Sequence, residues 1–261
     1  MNQSPPGTGV DSLADALLAL APAERPARLQ REPDPAAALE AIAQRGADLA
    51  IGQTARGEQI ARLAVETSDA LGGGSLRART RVALAHVLNY ANRFDEAMAV
   101  LGLASSLASD SGDRFAAARA SLISMHALAR LGRMDEALGA GDDAIAGFAS
   151  LGESVWRAKA DVNVGVIRRM RDDPAGALSH FDAARTAFAD APPILAQIES
   201  NRAEALLDLG RFAEAESAFR AALAAFHQAG IARAAAIAEG NLADLLGRQG
   251  RFESALAHFE S

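Results

Sequence analysis

From about Ala36 onward, apolar residues recur at intervals of three and four, and no useful length alternates in the two-residue period of a strand. That spacing predicts helix almost to the end of the chain and almost no β structure. The apolar runs are interrupted at regular places. Asn92-Arg93-Phe94-Asp95-Glu96-Ala97, Gly132-Arg133-Met134-Asp135-Glu136-Ala137, Asp172-Asp173-Pro174-Ala175-Gly176-Ala177, Gly210-Arg211-Phe212-Ala213-Glu214-Ala215 and Gly250-Arg251-Phe252-Glu253-Ser254-Ala255 share one pattern. Their first residues are spaced 40, 40, 38 and 40 apart. A fixed period of this size means stacked helical units, each too small to bury its apolar face alone.

Local chemistry divides each unit into two helices. The first ends at Asn92, Gly132, Asp172, Gly210 or Gly250, since glycine and asparagine accept the left-handed conformation that stops a helix and aspartate does so less readily. The second begins one or two residues later, with Pro174 near a first turn and Asp95, Asp135, Glu136, Glu214 and Glu253 at the positive end of the helix dipole. It stops at Gly112, Gly152 and Gly230, and Pro192-Pro193 takes that place in the third copy. Gly72-Gly73-Gly74 closes a more degenerate unit over about 36–71. Ahead of it, residues 1–10 read as disordered or extended and Leu13–Leu20 as a short helix. Pro22, Pro26, Pro33 and Pro35 punctuate a lead-in with room for one more. The expected organisation is a flexible lead-in over 1–32 and an array over 33–261, with one degenerate repeat, four clear repeats and an incomplete last one.

The second helices carry a small–large–small face. Ala97, Ala137, Ala177, Ala215 and Ala255 are followed four residues on by Leu101, Gly141, Phe181, Phe219 and Phe259, and seven on by Ala104, Ala144, Ala184 and Ala222. Phe148, Phe188 and Phe226 extend the same face. These aromatics are predicted to be core.

This face, the glycine turn and first-helix cores such as Asn163-Val164-Gly165 and Asn241-Leu242-Ala243 resemble tetratricopeptide repeats over about 75–261, extending plausibly to 36–261. The period is similar to that of the longer-helix subclass seen in kinesin light chains and bacterial signalling proteins. The resemblance implies an all-α fold, a right-handed superhelical solenoid of antiparallel helix pairs, with the first helices on the concave side. Gly141 in place of the aromatic and Arg202 in place of a leucine depart from the pattern and predict looser packing in those copies. The alanine-rich lead-in Leu13–Gln30, with Pro22-Ala23-Glu24-Arg25, is similar to the start of bacterial proteins that join such repeats to a caspase-like (CHAT) protease, and to sensor arrays in bacterial transcription regulators.

Half of the residues are hydrophobic but only 5% are aromatic, and alanine dominates, which suits close helix stacking. The net charge of −7 argues against bulk binding to nucleic-acid phosphates. With no cysteine there is no disulfide, thiolate metal site or cysteine nucleophile, so no CHAT protease acts from this chain. No signal peptide and no apolar stretch of membrane-spanning length is apparent, and a cytoplasmic location is expected. No P-loop, nucleophile elbow, H-E-x-x-H or dinucleotide fingerprint occurs, so no catalytic residue, metal or cofactor is assigned. His86 and His126 lie 40 apart at matching places, but their column continues as Val166, Glu204 and Asp244, so they read as groove lining and not as metal ligands.

Projecting the period onto the first helices names the groove. One column is Arg79, Arg119, Lys159, Gln197 and Ile237; another is Ala83, Ile123, Asn163, Asn201 and Asn241. Further along lie Asn89 and Tyr90, Arg130, and Arg169. An amide offers a donor and an acceptor, matching the paired N–H and C=O of an extended peptide. In the family that these residues resemble, asparagines at this place clamp peptide backbone, which assigns that role to Asn163, Asn201 and Asn241. Arg79, Arg119, Lys159, Arg130 and Arg169 concentrate positive charge in a concave surface. The expected function is a protein-interaction scaffold that binds an extended acidic peptide or protein segment. The alternative is a regulatory or sensor arm controlling an effector in cis or in a partner chain. Self-association or a further domain is expected at the uncapped last helix, which stops at Phe259-Glu260-Ser261.

Overall fold

The computed structural model describes residues 8–259, and among them there is helix and no strand. Fourteen α-helices are numbered here in chain order: α1 Thr8–Leu18, α2 Arg25–Leu29, α3 Pro35–Asp48, α4 Thr54–Leu71, α5 Gly74–Tyr90, α6 Phe94–Ser111, α7 Arg114–Arg130, α8 Met134–Ser150, α9 Ser154–Met170, α10 Pro174–Arg185, α11 Pro192–Asp208, α12 Phe212–Gln228, α13 Ala232–Arg248 and α14 Phe252–Phe259. Short 3-10 turns cover 22–24 and 186–188.

The turns are fixed by backbone chemistry. Asn92, Gly132, Asp172, Gly210 and Gly250 all have φ between 59° and 76°, in the left-handed region. At each, the following N–H reaches back five residues: Arg93 to Leu88, Arg133 to Leu128, Asp173 to Arg168, Arg211 to Leu206 and Arg251 to Leu246, at 2.9–3.0 Å. This six-to-one bond satisfies a carbonyl that the helix end would otherwise orphan, so every first helix ends in the same motif. Gly112, Gly152 and Gly230 close second helices with the same sign of φ. The third second-helix stops early instead, at Arg185. Pro192 then opens α11 from its first position, where no N–H is needed. As a result α5, α7, α9, α11 and α13 all have 17 residues and align position by position.

Packing divides the chain into two compact units, 1–147 and 148–261. In the first, α3 and α4 form a hairpin, α5 and α6 another, and α3, α5 and α7 lie side by side. The α3–α4 crossing is so close that a Cβ on Gly57 would sit 2.6 Å from the Gly46 carbonyl oxygen. The core of this unit runs from Leu17, Leu39 and Ile42 to Leu88 and Leu101. The lead-in differs from expectation. Residues 1–7 lie outside the described range, but residues 8–10, expected to be disordered or extended, open α1, which ends at Leu18 and not at Leu20. The reason is packing: Ala14 and Leu17 are fully buried against the α3 cluster, and Arg45 on α3 donates to Asp11 at 2.7 Å.

In the second unit α9, α11 and α13 lie side by side, each paired with the helix that follows it. The alanine and phenylalanine columns are core as predicted: Ala177, Ala184, Ala215, Phe148, Phe181 and Phe219 are fully buried, with Phe188 and Phe226 close behind. The Phe259 side chain lies outside the described residues. Phe181 reaches the partner helix only because position 165 is glycine, where a Cβ would lie 2.6 Å from its ring. The equivalent positions one repeat earlier are Met125, which is 1% exposed, and Gly141, which is also buried.

Candidate functional site

In the first unit, α3, α5 and α7 enclose a cavity of about 380 Å³, lined by Glu40, Gln44, Arg79, Phe115 and Arg119 among smaller apolar side chains. Glu40 and Gln44 are the sixth and tenth residues of α3, so they belong to the Arg79–Arg119 and Ala83–Ile123 columns one repeat earlier. Reading those columns back into the degenerate repeat would have found them. Arg79 is committed: it donates to Asp113 at 2.6 Å and to Glu40 at 3.0 Å. Its guanidinium is held charged first by Asp113, with Glu40 adding. Asp113 also caps α7 through the Ala116 N–H at 2.9 Å and accepts from Ser75. Burial alone would raise its pKa, but these donors together hold it below the usual carboxylate range. Arg119 is half-buried, and burial, reinforced by the nearby Arg79, lowers its pKa.

Further along the same helices, His86 is half-buried and its ring meets the edge of exposed Tyr90 at 5.1 Å. Burial, with Arg119 and His126 nearby, pushes the His86 pKa down to about 4. His126 and Arg130 are exposed on α7 and both face Phe94, at 5.9 Å and 5.6 Å from its ring centre. Among the described residues no group of side chains suits a metal ion. Asn89 does not line the groove. It is 5% exposed and its Nδ2 donates to the Ile123 carbonyl at 3.0 Å, tying α5 to α7. It falls one residue before Tyr90, and that step of about 100° turns it from the open face into the helix contact.

In the second unit, Asn163, Asn201 and Asn241 are each the tenth residue of their helix, on α9, α11 and α13. Asn163 is exposed; the other two are half-buried. Asn201 accepts from Gln197 Nε2 at 3.3 Å, and Asn241 Nδ2 donates to Glu204 Oε1 at 2.8 Å. Arg169 pairs with Glu204 and, at 2.7 Å, with Asp208, so this network links all three helices. Burial raises the Glu204 pKa against the opposing pull of Arg169 and Asn241. Lys159 is exposed and stands 4.1 Å from the centre of the Trp156 ring, a cation–π geometry. The sequence places these residues on one face but does not show the pairing, in which Glu204 and Asp208 neutralise Arg169 from α11.

Among the described residues no helix is long and apolar enough to cross a membrane. Residues 194–261 match the Tetratricopeptide repeat family model. No curated protein sequence matches the chain. Among solved structures, BtubC from P. vanneervenii is similar with a TM-score of 0.67 at 19% identity, over 85% of this chain and 93% of that one. The apo form of RapI gives 0.67 at 11% identity, over 85% and 95%. A Rap protein complexed with competence and sporulation factor gives 0.60 at 16%, over 93% and 72%. At these identities the likeness is one of fold: helix hairpins stacked in tetratricopeptide-like order.

Proposed function

We propose, from the premise that this chain carries tetratricopeptide repeats, that it is a protein-interaction scaffold holding an extended, acidic peptide or protein segment on its inner helices. The observation that supports this most is the return of asparagine at one position of three side-by-side helices. Neighbouring packed helices stand about 8–10 Å apart and an extended chain advances about 3.3 Å per residue, so the row meets about every third peptide residue. One N–H of Asn241 is taken by Glu204, which leaves its carbonyl oxygen as the acceptor for a peptide N–H. The acidic preference rests on fewer groups than the columns suggested. Arg79 and Arg169 are held by internal acids; Arg130 and Lys159 are exposed and, with half-buried Arg119, supply the rest of the positive charge that would draw an acidic segment. That one related fold is solved with competence and sporulation factor bound agrees with ligand capture by such a scaffold.

The test is selection from a displayed library of extended peptides. Asn163→Ala/Asn201→Ala/Asn241→Ala should weaken selected peptides about a hundredfold, each amide contributing roughly 1 kcal/mol. Lys159→Glu, alone and with Arg119→Glu, should remove any enrichment of acidic sequences. Selection that is unaltered by the triple substitution would refute backbone capture.

A second reading, a regulatory arm docked on an effector or a second copy, draws support from α14. Phe252 is 72% and Leu256 58% exposed there, whereas Leu178, equivalent to Leu256, is 8% exposed in its own repeat. Retention of a folded partner that Phe252→Ser/Leu256→Ser releases, with the asparagines immaterial, would favour it.

A further inference from the structure

The second unit holds a slot of about 250 Å³ between α11 and α13, lined by Gln197, Phe226, Ile231, Arg233, Ala234 and Ile237. Small-molecule pockets begin near about 300 Å³, so this one is sized for a single side chain. Its floor is the buried ring of Phe226 and its walls are exposed aliphatics, Ile237 at 54% and Ile231 at 37%. An aliphatic group entering would remove part of this apolar surface from water. The rim carries Arg233, which is exposed and makes no ion pair among the described residues. That sets it apart on the inner helices of this unit, where Arg169 pairs with Glu204 and Asp208, and Arg248 with Asp244 at 2.9 Å.

Arg233 and Ile237 are four residues apart, hence neighbours on one face of α13 at about 5–6 Å. They are its second and sixth residues. The same two positions on α7 are Phe115 and Arg119, which line the cavity of the first unit. Each unit thus combines one apolar side chain with one guanidinium at the same register, in opposite order. In an extended peptide, residues two apart point the same way and are separated by about 6.6 Å, matching the Arg233–Ile237 spacing.

The geometry points to a specificity site: the α11–α13 slot takes an aliphatic side chain, and Arg233 takes the carboxylate of an aspartate or glutamate two residues away. The site lies one turn from the asparagine row, since Ile237 precedes Asn241 by four residues and Gln197 bonds to Asn201. It rests on the peptide-capture reading for the ligand class and sharpens it, turning an acidic segment into an aliphatic-x-acidic one.

Fluorescence anisotropy tests it on the whole chain, with labelled, end-blocked heptapeptides of glycine and serine carrying Leu-Gly-Asp, Leu-Gly-Asn or Ser-Gly-Asp at the centre. The Leu-Gly-Asp peptide should bind about tenfold more tightly than either relative, the worth of one charged hydrogen bond or one buried side chain. Arg233→Gln should erase the preference for Asp over Asn and spare that for Leu over Ser; Ile237→Ser should do the reverse. Both positions are exposed, so neither variant endangers the fold. Preferences that survive both variants, or no heptapeptide binding above an all-Gly/Ser control, would overturn the assignment. The triple asparagine variant separates the two claims. If it loses binding while Arg233→Gln and Ile237→Ser change nothing, the slot falls and backbone capture stands. If it binds normally with both preferences intact, the slot stands and the asparagine reading falls.

Discussion

Gly165→Ala is the most direct probe of how the helix layers fit together. A methyl group at this position would lie 2.6 Å from Phe181 Cε1, 2.9 Å from Cζ and 3.0 Å from Cδ1. Favourable carbon contacts begin near about 3.5 Å, so the ring or the helix must move. The ring is fully buried and has neighbours on every side, and forcing a methylene into such a core costs about 1–3 kcal/mol. Alanine recovers about 1 kcal/mol of helix propensity, which leaves a net loss of up to about 2 kcal/mol. Phe181→Leu alone should also destabilise by about 1–2 kcal/mol, through lost contacts. The double variant should lose less than the sum of the singles, because leucine vacates the space the methyl needs.

Urea unfolding followed by Trp156 fluorescence suits the measurement, since Trp156 is the single tryptophan of the chain and stacks on Phe148 in the same unit, 5.8 Å between ring centres. Gly247→Ala and Gly240→Ala serve as controls in α13. A Cβ there meets nothing within 4 Å, so both should stabilise by up to about 1 kcal/mol. If Gly165→Ala behaved like these controls, or cost as much in the Phe181→Leu background as in the native one, the close-packing account of the layers would be wrong.

Three further outcomes follow from the same geometry. Asp172→Gly should raise stability by about 0.5–1 kcal/mol and Gly132→Ala lower it by about 1 kcal/mol, because both positions have positive φ; thermal melts read the difference. Asn89→Ala should destabilise by about 1–2 kcal/mol through loss of the Ile123 tie and leave peptide affinity unchanged, as measured by denaturation and anisotropy. His86 binds its proton more weakly folded, with a pKa of about 4, than unfolded, near 6.5, so between these values the unfolded chain holds more protons and stability falls as pH falls. Up to about 3 kcal/mol is lost by pH 4, and His86→Gln should flatten that stretch of the stability–pH curve.

The helices and their register were readable because each repeat marks its turn with a residue that accepts positive φ. Five such marks, 38 or 40 residues apart, fix where α5, α7, α9, α11 and α13 end. The core columns followed, since Ala177, Phe181 and Ala184 lie on one face whatever their neighbours do. Asn89 was misplaced because one residue of helix rotates a side chain by about 100°, and only the packed neighbour decides which of two adjacent residues faces open space.

The charges were hidden for a related reason, one that yields a rule for reading such arrays. Arg79 pairs with Asp113, 34 residues on, and Arg169 with Glu204 and Asp208, 35 and 39 residues on. Asp113 caps the next inner helix of its unit, and Glu204 and Asp208 lie on the next one of theirs. A cation in these columns can therefore be read as a ligand contact only once the acids of the next repeat are placed beside it. Arg79 and Arg169 are both engaged in this way, whereas Lys159 is exposed and lies over the Trp156 ring. Arg79→Met should therefore destabilise the fold by more than Lys159→Met, because it leaves Glu40 and Asp113 without their cation, as urea unfolding reads. Equal losses of stability would mean that ion pairing between repeats does not hold these charges.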